Sequence, residues 1–460
     1  MIDKFGGEQL LRDAFLRSEI EIKEYQDKQA MKAYAYYKNN IVDIKNFLTA
    51  YLLEMINHQS LSKMPRVILN YIPKMVKRLT LAYNVAPISE GGDLHAELTR
   101  NLNKWRKEFH RQAKLFNTVL IRPIYKEDKN LFDYMLLSRA HCNVICDELD
   151  HSKMEEVNYK IEYHNSKGDP EDYTIHWTDD KHWATDKNGK EVNLDFMPED
   201  QVNPYGKIPF VVLRLEDSMD FWGDGMIDVV QGNEHLNGRL TDTFFKLYMS
   251  FGVPLGTNLG IKSNEFYLSP DMPIMVDNAR AEMASPNLQF ITPEQKVELD
   301  KLVSDWFINE MGISKGLSAG SFSEKETAQS GYAKQIENQE LLDLNRDDQD
   351  ALRMFEQELF EMQGIVLKVD AGKILGSKLN FEFTQFEFPK SDDEIWMNRE
   401  KEFQYNISTP IDWLREYRPE ATDEELTKLL KDNQKTNSEM KRTLTRLEAL
   451  VNGTANQNTL

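Results

Sequence analysis

Cysteine is almost absent from this chain: there are two, Cys142 and Cys146, both within HCNVIC. So few rule out a disulfide-stapled scaffold. Read as a strand, the pair shares one face, four residues apart. With His141 they make only three of the four ligands a structural zinc site needs, at the wrong spacing. They read as two buried thiols in a reducing compartment. No run approaches 18 apolar residues, so no membrane span is expected. MIDKFGGEQLLRD holds no apolar signal core, so the chain is expected to stay in the cytoplasm. GxxxxGK[ST] and HExxH are both missing, which argues against a phosphate-cradling ATPase and a zinc protease. GLSAGS matches a phosphate loop in composition only. The nine histidines are scattered. Acidic doublets occur at Asp179-Asp180, Asp347-Asp348 and Asp392-Asp393. Sequence neighbours point different ways, so these read as solvated surface rather than a two-metal centre. No catalysis, cofactor or metal is expected, and no internal repeat is found.

What is present is a 460-residue chain with 40% apolar and 10% aromatic residues, enough for more than one core. The net charge is −20 and the pI about 5.0. That argues against tight coating of nucleic acid, which needs a clustered basic surface. It is compatible with letting nucleic acid pass without holding it.

The expected class is α+β, predominantly helical. Residues 1–60 are polar and rich in helix formers. An apolar helical pattern runs from Val67 to Leu79, with Pro73 starting or kinking it. After Gly91-Gly92 a helix spans 93–116, with Leu94, Leu98, Leu102 and Trp105 at helical spacing. The period then changes to two over Thr118–Tyr125, Phe132–Leu137, Asn143–Cys146, Asn158–His164, Tyr173–Trp177 and Ile208–Leu213. Asn188-Gly189 signals a hairpin. Together these predict a small antiparallel sheet.

Residues 223–249 return to helix. One stripe contains Met226, Val229, Val230, Asn233, Leu236, Leu240, Phe244 and Leu247; His235, Arg239, Asp242 and Lys246 form the polar face. A compact excursion with short β pieces at Ile274–Val276 and Leu288–Ile291 follows. Thr292, Pro293 and Gln295 then open a second helix carrying Leu302 and Trp306, which ends at Gly312. SKGLSAGSFSEKETAQSGY, residues 314–332, is soft: small residues with almost nothing for a core. Ser323 and Glu326 predict a third helix from about Glu324 to Gly364, kinked at Ser330-Gly331. Nine acidic and three basic residues line Ala328–Gly364, which reads as an acidic wall. KLNFEFTQFEFP alternates as a strand. Thr409-Pro410 starts a short helix, Thr422 and Glu425 cap another with a stripe at Met440, Leu444, Leu447 and Val451, and the tail NGTANQNTL is expected to be disordered. One chain cannot easily bury both long stripes, so copies around an axis are expected to cover them.

This order resembles the portal proteins of tailed bacteriophages over most of residues 60–420. NPYGKIPFVVLRLEDSMDFWGDGMIDVVQGNEHLNGRLTDTFF, residues 203–245, is similar to that family's approach to its first stem helix, with a mid-helix Asn. ILNYIPKMVKRLTLAYNVAP resembles the wing segment, and SGYAKQIENQELL the start of the tunnel helix. The resemblance implies an N-terminal region and wing (1–222), a first stem helix (223–249) and a small α/β clip (250–292). It further implies a second stem helix (293–312), a tunnel loop (313–323), a long kinked tunnel helix (324–364), a wing return (365–420) and a short helical crown with tail (421–460).

It also implies a homo-oligomeric ring, usually of twelve, at a capsid vertex of the virion, assembled in the host cytoplasm. The ring passes double-stranded DNA without reading sequence. It docks the packaging ATPase (the terminase large subunit), head-completion or adaptor proteins, and the major capsid and scaffold proteins. By position, Ser314, Lys315, Gly316, Ser318, Gly320, Ser321 and Lys325 would face the DNA, Lys315 and Lys325 touching phosphates lightly. Lys262, Glu265, Asp271 and Arg280 would lie on the docking clip. Val230, Leu236, Leu240, Phe244, Leu302 and Trp306 would pack subunits in the stem. Two rival readings stay open: another head–tail adaptor or scaffold-binding protein, which predicts no DNA-wide hole, and a metal-dependent nucleic-acid hydrolase, which predicts converging carboxylates.

Overall fold

The computed structural model describes residues 22–55, 64, 66–164, 170–249, 253–257, 274–276, 287–291, 297–317, 339–376, 378–384 and 392–455. The class is mixed α+β with helix predominant, and eleven helices lie among the described residues. The chain divides into two units, residues 1–325 with 337–386, and residues 326–336 with 387–460.

In the first unit, α1 (residues 22–37) and α2 (Ile41–Met55) are joined by a three-residue corner. Two consecutive asparagines make the corner. Asn39 takes φ 53°, and the N–H groups of Asn39 and Asn40 close back onto the carbonyls of Tyr36 and Ala35. The Asn40 amide then bonds Asp43 in the first turn of α2. Helix α3 is Ile72–Leu79, with Pro73 in its first turn as expected. The helix expected over 93–116 is two, α4 (Asp93–Leu98) and α5 (Leu102–Phe116). Thr99-Arg100-Asn101 between them turns, with Leu102 N–H donating to the Thr99 carbonyl. Thr and Asn hold a helix weakly, so both apolar ends, Leu98 and Leu102, reach the core by breaking it.

The period-2 segments are strands. After β1 (Ile88–Glu90) come β2 (Thr118–Lys126), β3 (Leu131–Ser138), β4 (Cys142–Cys146), β5 (Met154–His164), β6 (Pro170–Trp177), β7 (His182–Thr185), β8 (Glu191–Val192) and β9 (Val211–Arg214). Strands β3-β2-β9 form one antiparallel sheet and β4 to β8 an antiparallel meander. The β7–β8 hairpin turns at Asn188-Gly189, where Gly189 takes φ +78° and Asp186 accepts the Lys190 N–H. A second core, around Val157, Tyr159, Ile175 and Trp177 of the meander, also takes in Leu120 and Leu137 of the three-stranded sheet.

Helix α6 (Ile227–Met249) starts four residues later than the pattern suggests. Gly223 and Gly225 both hold positive φ, and a Cβ at Gly225 would sit 2.3 Å from the Leu115 carbonyl oxygen. The chain must clear the end of α5 before it can coil. The described residues between α6 and α7 are strands: β10 (Val253–Thr257) pairs in parallel with β11 (Ile274–Val276) and antiparallel with β12 (Asn287–Ile291). Helix α7 (Val297–Ile313) returns antiparallel to α6 and packs close at Gly232, where a Cβ would meet Met311 Sδ at 2.8 Å. The expected cap at Thr292–Gln295 lies outside the described residues.

The long α8 (Gln339–Ala371) runs seven residues past Gly364, to a stop at Gly372 with φ +64°. Gly364 does not end the helix because Val366 and Leu367 beyond it are fully buried. Of the strand expected over 378–389, the described part is β13 (Asn380–Glu382), paired with β1. In the second unit, α9 (Asp392–Gln404), α10 (Pro410–Tyr417) and α11 (Asp423–Ala455) follow, with capping boxes at Thr409–Asp412 and Thr422–Glu425. Helix α11 continues through Ala455, so the first four residues of the expected disordered tail are helical.

Four largely buried histidines tie stability of the first unit to pH. Burial holds His95, His110 and His141 below the usual imidazole value and takes His182 down to about 4, with Arg122 assisting. The unfolded chain protonates all four as pH falls through about 6.5, while the folded chain does not. Stability is therefore present above that value and lost below it. We expect the melting temperature to fall between about pH 7.5 and 5; a flat profile by circular dichroism would contradict this account.

Candidate functional site

A polar ladder fixes α6 to the N-terminal region. Residues Asn233, Asn237 and Thr241 recur every four positions and are fully buried. Their side-chain oxygens accept the N–H groups of Tyr71, Leu69 and Val67 at 2.9, 2.9 and 3.1 Å, and Asn233 Nδ2 donates back to the Leu69 carbonyl at 2.8 Å. Four helical residues rise about 6.0 Å and two extended residues about 6.6 Å, so a helix can satisfy alternate N–H groups of an extended chain. Here lies the reason Val67–Asn70 stays outside the helix although its spacing looks helical. Asn233 lies on the buried stripe where the spacing puts it.

The ladder and the core together cover one side of the α6–α7 pair. Val230 and Leu236 are buried within the chain itself, and Leu240 packs partly against the same core. Val230 and Leu236 therefore have no surface to give a second chain, which corrects their place among the subunit-packing residues. Across the pair, Asp300 accepts from Arg239 at 3.0 Å and from Thr243 at 3.2 Å. On α7, Phe307, Ile308 and Met311 turn inward. Leu302 and Trp306 face out, 65% and 57% exposed, as does Phe244 on α6 at 49%. Leu302, Trp306 and Ile313 fall within about 40° of one another around α7, an apolar row left exposed by the described residues.

Helix α7 ends at Ile313, one residue past the expected Gly312, and Ser314, Lys315 and Gly316 form the turn that caps it. The N–H of Leu317 reaches the Gly312 carbonyl at 3.0 Å and that of Gly316 the Ile313 carbonyl at 3.0 Å, with Gly316 at φ +73°. Leu317 is buried, and a Cβ on Gly316 would lie 2.6 Å from Leu344 of α8. Lys315 is paired with Asp228 at 3.0 Å. Ser318, Gly320, Ser321, Lys325, Ser330, Gly331 and the clip positions Lys262, Glu265, Asp271 and Arg280 lie outside the described residues.

Helix α8 is acidic on the outside only. Glu340, Asp343, Asp347, Asp350, Glu358 and Glu361 are exposed, with Arg346 and Arg353 each paired to a carboxylate three residues back. Asp348 and Glu356 do not belong to that wall. Arg106 of α5 grips Glu356 with two bonds of 2.7 Å, and Tyr83 donates to the same carboxylate at 2.8 Å. His110 and Lys114 hold Asp348 at 2.9 and 3.0 Å. Burial pushes the Asp348 carboxyl up, but the His110 bond and the Lys114 charge outweigh it, so it stays below its ordinary value. Gln363 donates to Tyr134 at 2.8 Å. A sequence signal existed for these groups: Asn345, Asp348, Glu356 and Gln363 share helical spacing with the buried Leu341, Leu352 and Leu359.

Among the described residues, no three His, Cys, Asp or Glu side chains converge to hold a metal ion. Cys142 and Cys146 are free thiols half-buried against the meander core, and burial pushes both thiols up. His141 bonds Ser138 and packs edge-on to Tyr34. No described helix is long and apolar enough to cross a membrane. A scan against models of known protein families gives no match, and no curated protein matches the chain.

Proposed function

We propose that this chain is the subunit of a portal ring, a non-enzymatic conduit at a capsid vertex through which double-stranded DNA is packaged and released. The observation that carries the reading is the uncovered row Leu302, Trp306 and Ile313 on an antiparallel helix pair whose other side is already buried. Such a row on a regular helix is covered when identical copies repeat around an axis. In this reading α6 and α7 are the stem and the strands between them the clip. The clip would dock the packaging ATPase and later the head-completion protein. The tunnel loop, 313–323, would face the DNA, and its described part, Ser314–Leu317, caps the stem helix. The exposed carboxylates of α8 would disfavour phosphate contacts, and few contacts mean little counterion release to resist sliding.

Negative-stain imaging of the purified protein tests this. We expect rings with a central opening wide enough for a duplex. A monomer, or an oligomer with a filled centre, would overturn the proposal and favour an adaptor or scaffold-binding role.

A further inference from the structure

Helix α5 carries five basic residues, Lys104, Arg106, Lys107, Arg111 and Lys114, against one carboxylate, Glu108, in a chain of net charge −20. The available carboxylates are already committed. Arg106 is held by Glu356 and Lys114 by Asp348. Glu108 is taken by Tyr37, Lys38 and Gln112. Lys104 and Lys107 are left exposed, with no ion pair or hydrogen bond to their ammonium groups among the described residues. The one carboxylate on this side of the helix, Glu108, is the one already bonded by Tyr37, Lys38 and Gln112.

These cations line a groove of about 430 Å³ formed with Arg111, Asn103, Tyr83 and the Ala86-Pro87 turn. The acceptors around it are engaged. Asn103 Oδ1 takes a 2.8 Å bond from Arg106, which leaves the amide Nδ2 as that side chain's free end. The Ala86 carbonyl accepts the Thr384 hydroxyl at 3.0 Å, the Tyr83 hydroxyl is given to Glu356, and Pro87 has no N–H. The groove therefore offers donors and positive charge. Its walls supply no exposed aromatic ring for a base to stack on, since Tyr83 is buried.

We propose that this groove is a binding site for phosphate-bearing anions, with Lys104, Lys107 and Arg111 as the contacts. Phosphate suits it better than a peptide carboxylate. The cations are spread over seven helical residues, about 10 Å, and phosphates repeat at about 3.4 Å of axis along one nucleic-acid strand. Lysine meets phosphate as a point charge and needs no fixed fork geometry. The site stands apart from the ring reading, since it uses none of the stem residues.

The test is fluorescence anisotropy of the full chain with a short labelled duplex over a salt series, repeated with K104A/K107A. Inorganic phosphate and a polyglutamate peptide serve as separate probes. Each phosphate contact contributes about 0.9 to the slope of log affinity against log salt, so the variant should lose about 1.8 of that slope. Its fold should be unchanged by circular dichroism, because both lysines are exposed and unpaired. Binding of inorganic phosphate that disappears in the variant supports the site equally, with free phosphate as the ligand. An unchanged slope together with unchanged phosphate binding overturns the proposal, as does an effect confined to polyglutamate. Either of those results would leave the imaging test of the ring untouched.

Discussion

Replacing Glu356 with alanine is expected to destabilise the first unit by about 3–5 kcal/mol, because it strands a buried guanidinium. The Arg106 and Glu356 side chains are 4% and 2% exposed. Removing the carboxylate deletes two short charge-assisted bonds and the acceptor of the buried Tyr83 hydroxyl. What stays behind is a cation with Asn103, Ser89 and the Phe381 ring for company, none of which carries a balancing charge. Water cannot reach it without opening the α5–α8 contact. The urea midpoint should fall by about 1 M or more if the slope is of ordinary size. A double variant, Arg106→Met with Glu356→Leu, separates the two sources of the loss. It removes the charge together with its partner, so most of the stability should return. A single variant with a wild-type midpoint would mean that the pair is solvated and the helices are held by apolar packing alone.

That ion pair joins residues 250 positions apart, and this is why sequence reading missed it. Local signals were legible. Period-2 runs gave β2 to β6 within a few residues, and Thr409 and Thr422 capped their helices as their own side chains dictate. Pro73 started α3. The errors cluster where a distant partner overrides a local preference. Val67–Asn70 has helical spacing but is held out of the helix by three side chains of α6. Asp348 and Glu356 look like surface carboxylates until α5 supplies their cations. The candidate site was legible to the same extent: Leu302, Trp306 and Phe244 are outward as the stripe implied, while Val230 and Leu236 on the neighbouring turns are claimed by the chain's own core.

The exposed row therefore carries the second large effect. Leu302→Asp with Trp306→Asp is expected to abolish ring assembly while leaving the chain folded. Neither side chain contributes to the core of its own chain, so thermal unfolding of the isolated subunit should stay within the small range of surface substitutions. In the ring reading each would be buried against a neighbour, worth about 1.5–3 kcal/mol per side chain, and aspartate would bring an unpaired charge to the same place. A closed ring repeats one interface at every subunit boundary, so the loss is felt at each of them at once and assembly should disappear rather than weaken. Light scattering after size-exclusion chromatography reads this directly, with wild type as a large oligomer and the variant at monomer mass. Core residues give the opposite signature. Val230→Asp should unfold the first unit before any question of assembly arises, because it places a charge where the chain has already excluded water. If the α7 variant assembles like wild type, the copies meet through another surface and α7 does not line the subunit boundary.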